Sequence, residues 1–326
     1  MLAIVSSSPY PYAASAALRL ALSQDLGPVD GLLRRCAFAE PTDGPVALAV
    51  SGGPDSIAMV MLAKAAGLEV DVWHVDHQIR AGSATEAAAV EHFAQAIGAG
   101  FRLVREKVEP GANLEARARE LRKSRLPAGI ATGHTMDDQA ETMLINLLRG
   151  AGTRGLAAME PGPSKPILGL RRSETEAICA ALGLMPIRDP SNLSLDFVRN
   201  RIRHEVLPLM AEVVSRDLVP ILYRSSLLFG QDDSELDAMA SSIDANDQAS
   251  LASAPRVLRR RRLRQVIAQS VGYPPSYEAL EALDARVVEG RNFRTQLAGG
   301  LDVTCRRGRI SYTMSPVAKD ASGSRS

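Results

Sequence analysis

The sequence predicts an α/β protein, in which a doubly wound parallel sheet is followed by a mainly helical domain that ends in a small β-hairpin. Short apolar runs alternate with helix-length segments between residues 45 and 150. Such alternation is typical of parallel strands joined by crossover helices. After Pro208 the strand pattern stops until about residue 295, where apolar and polar residues alternate again. The length of 326 residues suits two domains.

The predicted elements of the sheet follow in order along the chain. Buried strands are predicted where the chain is short, apolar and rich in branched residues, at 46–50, 69–75, 101–108 and 129–134. Helical spacing between and after these strands predicts helices at 57–67, 85–97, 114–125 and 136–149. In such sheets ligands bind beyond the carboxyl ends of the strands, so the turns that follow them are the places to look for a site.

The rest of the chain divides by pattern. Prolines separate three further predicted helices at 217–241, 254–270 and 276–289, and a hairpin is predicted within 295–314. The expected organisation is a partly disordered leader, a catalytic domain, a helical domain with the hairpin, and a disordered tail, at 1–44, 45–215, 216–314 and 315–326.

Composition excludes several classes of protein. With 46% hydrophobic residues, 23% charged residues and a net charge of +1, the chain is ordinary for a soluble globular protein. No apolar run reaches the ~18 residues of a membrane span, so no membrane role is expected. Cys36, Cys179 and Cys305 lie far apart without a CxxC pair, which argues against a zinc ribbon, a thioredoxin-type pair or a disulfide framework. A secretory signal is poorly supported, and a cytoplasmic location is expected.

The first turn is typical of a nucleotide site. The SGGPDS segment leaves the first strand and enters a helix, so its glycines allow a close backbone approach and the helix N-terminus presents free N–H groups to an anion. It is neither a Walker A loop nor a GxGxxG turn. A carboxylate beside a phosphate needs a cation between them, which implies Mg²⁺ at Asp55. The predicted ATP-binding residues are Ser51, Gly52, Gly53, Pro54, Asp55 and Ser56.

Polar residues also follow the second and fourth strands. The segment 74–80, HVDHQIR, could hold a metal, but the sequence shows no third clustered ligand. After the fourth strand, His134, Asp138 and Glu141 are spaced i, i+4 and i+7, which places them on one helical face. A solvated polar face capped by a histidine explains the polarity of this cluster but not its position at the carboxyl end of a strand.

Arginines form two groups that could bind phosphates. The RNRIR segment holds Arg199, Arg201 and Arg203, and residues 256–264 hold six arginines. On an ideal helix one face of the second group would carry Arg256, Arg259, Arg260 and Arg264, a candidate surface for tRNA phosphates. Because the 38 basic residues include 33 arginines, such a cluster counts for less here than elsewhere. The alternative is that these arginines pair with acidic residues such as Asp232, Asp233 and Glu235 and only solubilise the domain.

Several segments carry a family resemblance. SGGPDS resembles the pyrophosphate loop of the N-type ATP pyrophosphatases, the PP-loop superfamily. Within that superfamily, HVDHQIR is similar to the HVxHGLR segment of the lysidine synthetases (synthases), with Gln78 in place of the usual glycine. The stretch 133–159 resembles their GHxxDDQAET…LLRGxGxRGLxxM over nearly its whole length. Further similarity covers 114–126, 165–184 and 189–210, so the resemblance extends over about residues 45–215.

The resemblance implies an activity and a set of roles. Members use ATP and Mg²⁺ to join free L-lysine to C2 of the wobble cytidine, position 34, of a CAU-anticodon tRNA(Ile), through an adenylated cytidine. Asp55 and Asp138 would hold the metal, and Asp138 and Glu141 would bind the lysine ammonium. The implied catalytic residues are Asp55, His134, Asp138, Glu141, Arg119, Arg122 and Arg203, while Arg199, Arg201 and Arg203 would contact phosphates.

Two other functions remain open from the sequence. One is a thiolating tRNA-modifying enzyme of the same superfamily, which would be expected to need reactive cysteines or an iron–sulfur cluster. The other is a non-catalytic nucleotide-binding module, against which the intact Asp55, His134, Asp138 and Glu141 set argues. Association into a homodimer is also left open.

Overall fold

The computed structural model describes residues 4, 15–40, 44–76, 83–105, 125–189, 192 and 194–315. The chain divides into two compact units, Met1–Gly230 and Gln231–Ser326. This division falls inside the helix Val219–Ser241, later than the domain boundary expected at residue 215. None of the described helices is long and apolar enough to cross a membrane.

A four-stranded parallel sheet forms the centre of the first unit, as predicted. Its strands are β1 (Val46–Ala49), β2 (Val70–Asp76), β3 (Gly100–Arg105) and β4 (Ala131–Thr132), and their order is β3-β2-β1-β4. β1 is therefore central and pairs with β2 on one side and β4 on the other. The order reverses beside β1, because the chain moves outward through β2 and β3 and then returns to the other side of β1 at β4. Ligands bind at such a switch point in open α/β sheets.

The helix Pro54–Ala65 leaves β1 and is buried on almost every side. Nine of its twelve residues are buried, including Ile57, Met59 and Met61. A helix that is apolar all round has to be enclosed by other elements. The helix Ser15–Leu26 covers part of it through Leu18 and Leu22, both fully buried. Residues 15–26 are therefore part of the first core, which corrects their expected place in a leader, because their leucines are needed to cover this helix.

The described residues of the first unit form several further helices. They are Val29–Leu33, Ser83–Ala96, Met136–Leu148, Thr153–Leu156, Arg172–Ala181, Val198–Arg201, a π-helical turn Ile202–Val206, Leu207–Val214 and the start of Val219–Ser241. The fully buried Gln139 links several of them. Its amide nitrogen donates to the carbonyls of Ala157 and Met159 and to the hydroxyl of Ser226.

The second unit is helical and ends in a sheet. Its helices are Gln248–Ser253, Arg256–Val271 and Tyr277–Val288. The antiparallel strands β5 (Phe293–Leu297), β6 (Leu301–Arg306) and β7 (Arg309–Met314) form a three-stranded sheet rather than the predicted hairpin. The extra strand begins two residues earlier than the hairpin was expected to, because Phe293 packs against the same core as Leu263, Val303 and Ile310.

Several arginines of the helix Arg256–Val271 pair with carboxylates of the same unit, and one of them is buried. Arg259 is only 7% exposed, and its guanidinium donates to the carboxylate of Asp284 at 2.6 Å and to the carbonyl of Ala254 at 2.9 Å. A contact between Arg259 and tRNA phosphates is therefore not favoured, because its side chain is enclosed and paired.

The neighbours of Arg259 are also engaged. Arg256 and Arg260 pair with Glu281, and Arg260 also lies over the ring of Tyr277. Arg261 pairs with Asp233 and Asp237. This arrangement favours the alternative interpretation of the cluster as internal ion pairs, with Asp233 among the acidic partners foreseen and Glu281 and Asp284 in addition.

We expect Asp284→Ala to destabilise the second unit by about 3–5 kcal/mol, because it leaves the Arg259 guanidinium buried without its carboxylate. Urea denaturation followed by circular dichroism measures this loss. The matched control is Glu281→Ala, which removes a carboxylate from more exposed pairs and should cost no more than about 1 kcal/mol. Equal losses in the two variants would mean that the burial of Arg259 contributes nothing.

Candidate active site

The loop after β1 is shaped to approach an anion. Gly52 has a φ of +90°, and a Cβ at this position would lie 2.5 Å from the Cδ1 of Ile187, so a side chain has no room. Gly53 precedes the helix, and Pro54 takes its first turn, where a missing N–H costs nothing. The hydroxyl of Ser56 donates to the carbonyl of Gly53 at 2.9 Å. The first N–H groups of this helix lack intrahelical acceptors and are suited to bind a phosphate, so the sequence-based assignment of this loop stays a prediction.

The turn after β4 packs directly against this loop. A Cβ on Gly133 would meet the backbone of Asp55 and Ser56 at 3.0 Å, so only glycine allows the two turns to approach this closely. The helix Met136–Leu148 then begins with a capping box, in which Thr135 donates both its N–H and its hydroxyl to Asp138 at 2.9 Å. These contacts fix Asp138 beside the loop that holds Asp55.

One arginine joins the acidic residues of the two turns. The guanidinium of Arg172 lies 3.5 Å from Asp55 Oδ2, 3.0 Å from Asp138 Oδ1 and 3.2 Å from Glu141 Oε1. Arg172 comes from the first turn of the helix Arg172–Ala181, which packs against Pro54–Ala65. From the same helix, the hydroxyl of Thr175 donates to Asp55 Oδ1.

Glu141 is the most enclosed of the three acids. Its side chain is fully buried, and Arg203 binds both of its oxygens, with Nε at 2.7 Å from Oε1 and Nη2 at 3.0 Å from Oε2. Arg199 approaches within 3.5 Å of Oε2, in addition to Arg172. The predicted role of Glu141 in binding the lysine ammonium is not favoured, because its oxygens already receive three guanidinium groups.

The RNRIR segment reaches Glu141 through helical spacing. Arg199 and Arg203 are four residues apart and share a face, whereas Arg201 points to the opposite side and pairs with the exposed Glu205 at 2.9 Å. The helix then widens into the π turn Ile202–Val206, immediately before Pro208. Pro208 has no N–H for the carbonyl four residues before it, which accounts for the widening.

Burial and neighbouring charges shift the pKa values of Asp55 and Asp138 in opposite directions. Burial raises the pKa of Asp55 from 3.8 to about 6, against the opposing effects of Thr175 and Arg172. For Asp138 burial alone would raise the pKa, but the charges of Arg172 and His134 and the hydrogen bond from Thr135 lower it. Burial would lower the pKa of Arg172, but Asp138, Glu141 and Asp55 raise it, so its positive charge is secure.

Some of the remaining predicted residues lie within the described part of the chain and others lie outside it. His134 is partly buried, and its Nδ1 lies 2.8 Å from the hydroxyl of Thr132. His74, which lies within β2, is buried with its Nδ1 2.7 Å from the carbonyl of Val50, which is a structural contact. Arg119 and Arg122, together with residues 77–80 of the second turn, lie outside the described residues.

Sequence reasoning missed the residues that come from the helix Arg172–Ala181. These are Arg172 and Thr175, and beside them Arg171, which pairs with Asp137 at 3.1 Å and with Asp217. The sequence offered one signal, the adjacent Arg171 and Arg172 after an apolar run. Nothing in the sequence alone indicates that this helix packs against the phosphate loop.

The donor set fits a divalent cation that is shared with phosphates. Asp55 and Asp138 contact the same guanidinium, so their carboxylates lie close enough to flank one cation. Among the described residues no group of three or more His, Cys, Asp and Glu side chains could hold a metal by itself. Mg²⁺ is commonly bound by one or two carboxylates together with substrate phosphates, and this site offers two.

A parallel sheet with a glycine-rich phosphate loop and carboxylates at its switch point defines a PP-loop ATP-binding protein, and the PP-loop domain family matches residues 33–210. Similarity extends further along the chain. The tRNA(Ile)-lysidine synthase of Nocardia farcinica is 39% identical over 271 residues, covering 78% of this chain and 85% of its own. That of Salinispora tropica is 35% identical over 328 residues, covering 89% and 97%. The chain belongs to the tRNA(Ile)-lysidine synthase family, whose members are ligases that form C–N bonds.

A solved structure also resembles the chain at the level of the backbone. A U34-tRNA thiolase of Methanococcus maripaludis superposes with a TM-score of 0.45 and 16% identity, covering 66% of this chain and 77% of its own. A likeness this weak carries no argument about function.

The raised pKa of Asp55 predicts a stability effect in the ligand-free protein. The folded state binds this proton more tightly than the unfolded state, so stability falls as the pH rises from about 4 to about 6. Asp55→Asn removes this cost and should stabilise the protein at pH 7, by at most about 3 kcal/mol. The gain should largely vanish near pH 4, where the folded parent is protonated and the unfolded parent is about half protonated at Asp55.

Urea denaturation at pH 7 and pH 4 measures this difference. The control is Asp30→Asn, which removes an exposed carboxylate paired with Arg19 and should change stability by less than about 0.5 kcal/mol. A loss of stability at pH 7 in Asp55→Asn would show that the pairing with Arg172 and Thr175 outweighs burial.

Proposed function

We propose that this protein is a tRNA(Ile)-lysidine synthase, which joins free lysine to C2 of the wobble cytidine of a CAU-anticodon tRNA(Ile) at the expense of ATP. The observation that carries the proposal is the convergence of a phosphate loop, two carboxylates and three arginines at one edge of the sheet, in a chain of this family. We also propose that Mg²⁺ is required and that the protein acts in the cytoplasm.

In the first half-reaction the cytosine O2 attacks the α-phosphorus of ATP, an O–P bond forms and pyrophosphate leaves. Negative charge accumulates on the phosphates, so positive groups fixed in advance lower the barrier. The N–H groups after Gly53 and the guanidinium groups of Arg172, Arg199 and Arg203 are such groups. Mg²⁺ held by Asp55 and Asp138 would supply further neutralisation of the phosphates.

Arg172 has to exchange partners when nucleotide binds. Its guanidinium lies against both carboxylates that would hold Mg²⁺, so the cation and the arginine compete for the same oxygens. Once the phosphates are present, Arg172 gains an anionic partner of its own and its departure from Asp55 costs little. A divalent cation in place of Arg172 would counteract the effect of burial on the pKa of Asp55, because it favours the ionised carboxylate.

In the second half-reaction the ε-amine of lysine attacks C2 of the cytosine, the C2–O bond breaks and AMP leaves. An ammonium with a pKa near 10.4 lies ~3.4 units above pH 7, so its deprotonation costs about 4.6 kcal/mol. A base has to remove a proton, and His134 suits this role because an imidazole titrates near neutral pH. Asp138 is the better candidate for ammonium recognition, since Glu141 is enclosed by arginines.

The cysteines argue against the thiolase alternative. Thiolate chemistry requires an accessible sulfur whose pKa is ordinary or lowered. Burial instead raises the pKa of Cys36 and of Cys179 to about 12, and it raises the pKa of Cys305. All three are therefore neutral thiols at physiological pH and poor nucleophiles.

Incubation with ATP, Mg²⁺, radiolabelled lysine and a CAU-anticodon tRNA(Ile) transcript tests the proposal. We expect label in the tRNA and release of AMP and pyrophosphate. In Asp55→Asn we expect AMP formation to be abolished while tRNA binding survives, because a neutral amide is a poor ligand for Mg²⁺. Wild-type protein that hydrolyses ATP without incorporating lysine would refute the proposed reaction. Size-exclusion chromatography of the same samples tests for a homodimer.

A substitution of Glu141 tests whether this residue aligns arginines for the nucleotide or binds the lysine ammonium. If Glu141 aligns arginines for the nucleotide, Glu141→Gln should raise the ATP KM by roughly 10–150-fold, the value of a lost charged hydrogen bond, and should raise the lysine KM less. The control Glu205→Gln breaks an exposed Arg–Glu pair in the neighbouring turn and should leave both constants unchanged. A larger rise in the lysine KM would restore Glu141 as the ammonium ligand.

A further inference from the structure

Two groups of arginines in the second unit differ in their partners. In the helix Arg256–Val271 the side chains of Arg256, Arg259, Arg260 and Arg261 all pair with carboxylates of the same unit. Their charge is therefore largely neutralised. The second group lies at the turn between β6 and β7, where Arg306, Arg307 and Arg309 are all exposed, and no ion pair joins any of the three to a described carboxylate.

This β6–β7 turn is held rigidly. Arg306 and Arg309 face each other in the antiparallel register, and Arg307 and Gly308 form the two-residue connection between them. The N–H of Arg307 donates to the side chain of Asn292 at 2.8 Å, and the carbonyl of Gly308 accepts from the N–H of Gln248 at 2.9 Å. A fixed turn loses little conformational entropy when its side chains bind a partner.

Nearby carboxylates form no ion pair with these arginines among the described residues. Asp247 lies opposite Arg309 in an isolated bridge, and its carboxylate accepts the N–H of Ser250 at 2.7 Å. Asp244 lies on the same loop and accepts the N–H of Asn246 at 2.9 Å. Arg291, also exposed, precedes the Asn292 that binds the turn and adds a fourth positive charge.

Arg307 occupies a backbone conformation that does not suit it. Its φ is +52°, and the next residue, Gly308, has a φ of +77°. Two-residue hairpin turns with both φ values positive favour Asn-Gly, because asparagine tolerates the left-handed region. An arginine there has a conformational cost of about 1 kcal/mol. A codon bias toward arginine does not by itself explain an arginine at this position, where asparagine would have a lower conformational cost.

We infer that the β6–β7 turn binds the phosphate backbone of RNA through Arg306, Arg307 and Arg309, and that the arginine-rich helix Arg256–Val271 contributes mainly internal ion pairs. Planar guanidinium groups bind phosphate oxygens through two parallel hydrogen bonds. This inference rests on the proposed function, since a tRNA is the polyanion that the proposed reaction requires. It replaces the tRNA-binding face expected from the spacing of residues 256–264.

The test compares two triple variants that lose the same charge. One is Arg306→Gln with Arg307→Gln and Arg309→Gln, and the other is Arg256→Gln with Arg260→Gln and Arg261→Gln. Binding of the CAU-anticodon tRNA(Ile) transcript is measured by filter retention between 50 and 200 mM salt. In the turn variant we expect the Kd to rise by roughly tenfold or more and the salt slope to become shallower by roughly 0.7–0.9 for each lost contact. The helix variant should keep the wild-type slope.

A single substitution separates binding from structure. Arg307→Asn relieves the backbone cost at the turn, so it should keep or raise the thermal unfolding midpoint while it weakens tRNA binding. A merely structural role for Arg307 would not weaken binding in a variant of equal or greater stability. Thermal unfolding of all variants verifies that they are folded.

Wild-type affinity and slope in the turn variant would overturn the inference, and so would an equal loss in the helix variant. Failure of the proposed function has a different signature. Wild-type protein that binds the transcript through the turn but incorporates no lysine would refute the reaction and leave this RNA surface standing.

Discussion

The candidate site depends on one guanidinium, that of Arg172. It is the only contact through which the phosphate loop, the helix after β4 and the helix Arg172–Ala181 all meet among the described ion pairs. Without a central cation, Asp55, Asp138 and Glu141 would repel one another in a largely buried space, where such repulsion is poorly screened. The arginine makes the ligand-free site stable and at the same time holds the place that a metal ion and phosphates would take over. The burial of Asp55 and the pairing of Glu141 with Arg172, Arg199 and Arg203 belong to the same arrangement.

Much of this site could be read from the sequence, because the contributing residues are close to glycines and strand ends that fix their positions. The phosphate loop and the i, i+4, i+7 spacing of His134, Asp138 and Glu141 are local patterns, and the structure places Asp55, Asp138 and Glu141 together through Arg172. Arg172 could not be placed in the same way. Its position depends on the packing of its helix against Pro54–Ala65, a long-range contact that no local periodicity encodes. Whether Glu141 contacts substrate or arginine likewise depends on the burial of its side chain, which local sequence patterns do not show.

The arginine-rich helix shows a second limit of sequence patterns. Helical spacing correctly groups Arg256, Arg259 and Arg260 on one face, since all three meet acids of the helix Tyr277–Val288. The spacing does not say whether that face meets solvent or protein. Glu281 and Asp284 are themselves spaced i, i+3, so two complementary charged faces lie about twenty residues apart in the sequence. Their pairing neutralises much of the charge on that face, whereas the arginines of the short turn after β6 are exposed and form no ion pair with a described carboxylate.

The number of residues in the π turn Ile202–Val206 determines how the helix after it is oriented. A π turn holds about one residue more than an α turn, so it changes the rotational phase of everything that follows. Arg199, before the turn, and Arg203, its second residue, face Glu141, and after the turn Leu207 packs with Leu144 and Ile202. Removing one residue between Arg203 and Leu207 would keep the arginines in place but rotate Leu207 by about 100° away from that contact. The additional residue therefore lets one helical stretch make both contacts, although they lie on faces that a regular α-helix would not align. Insertions or deletions should be tolerated in the surrounding loops but not in this turn.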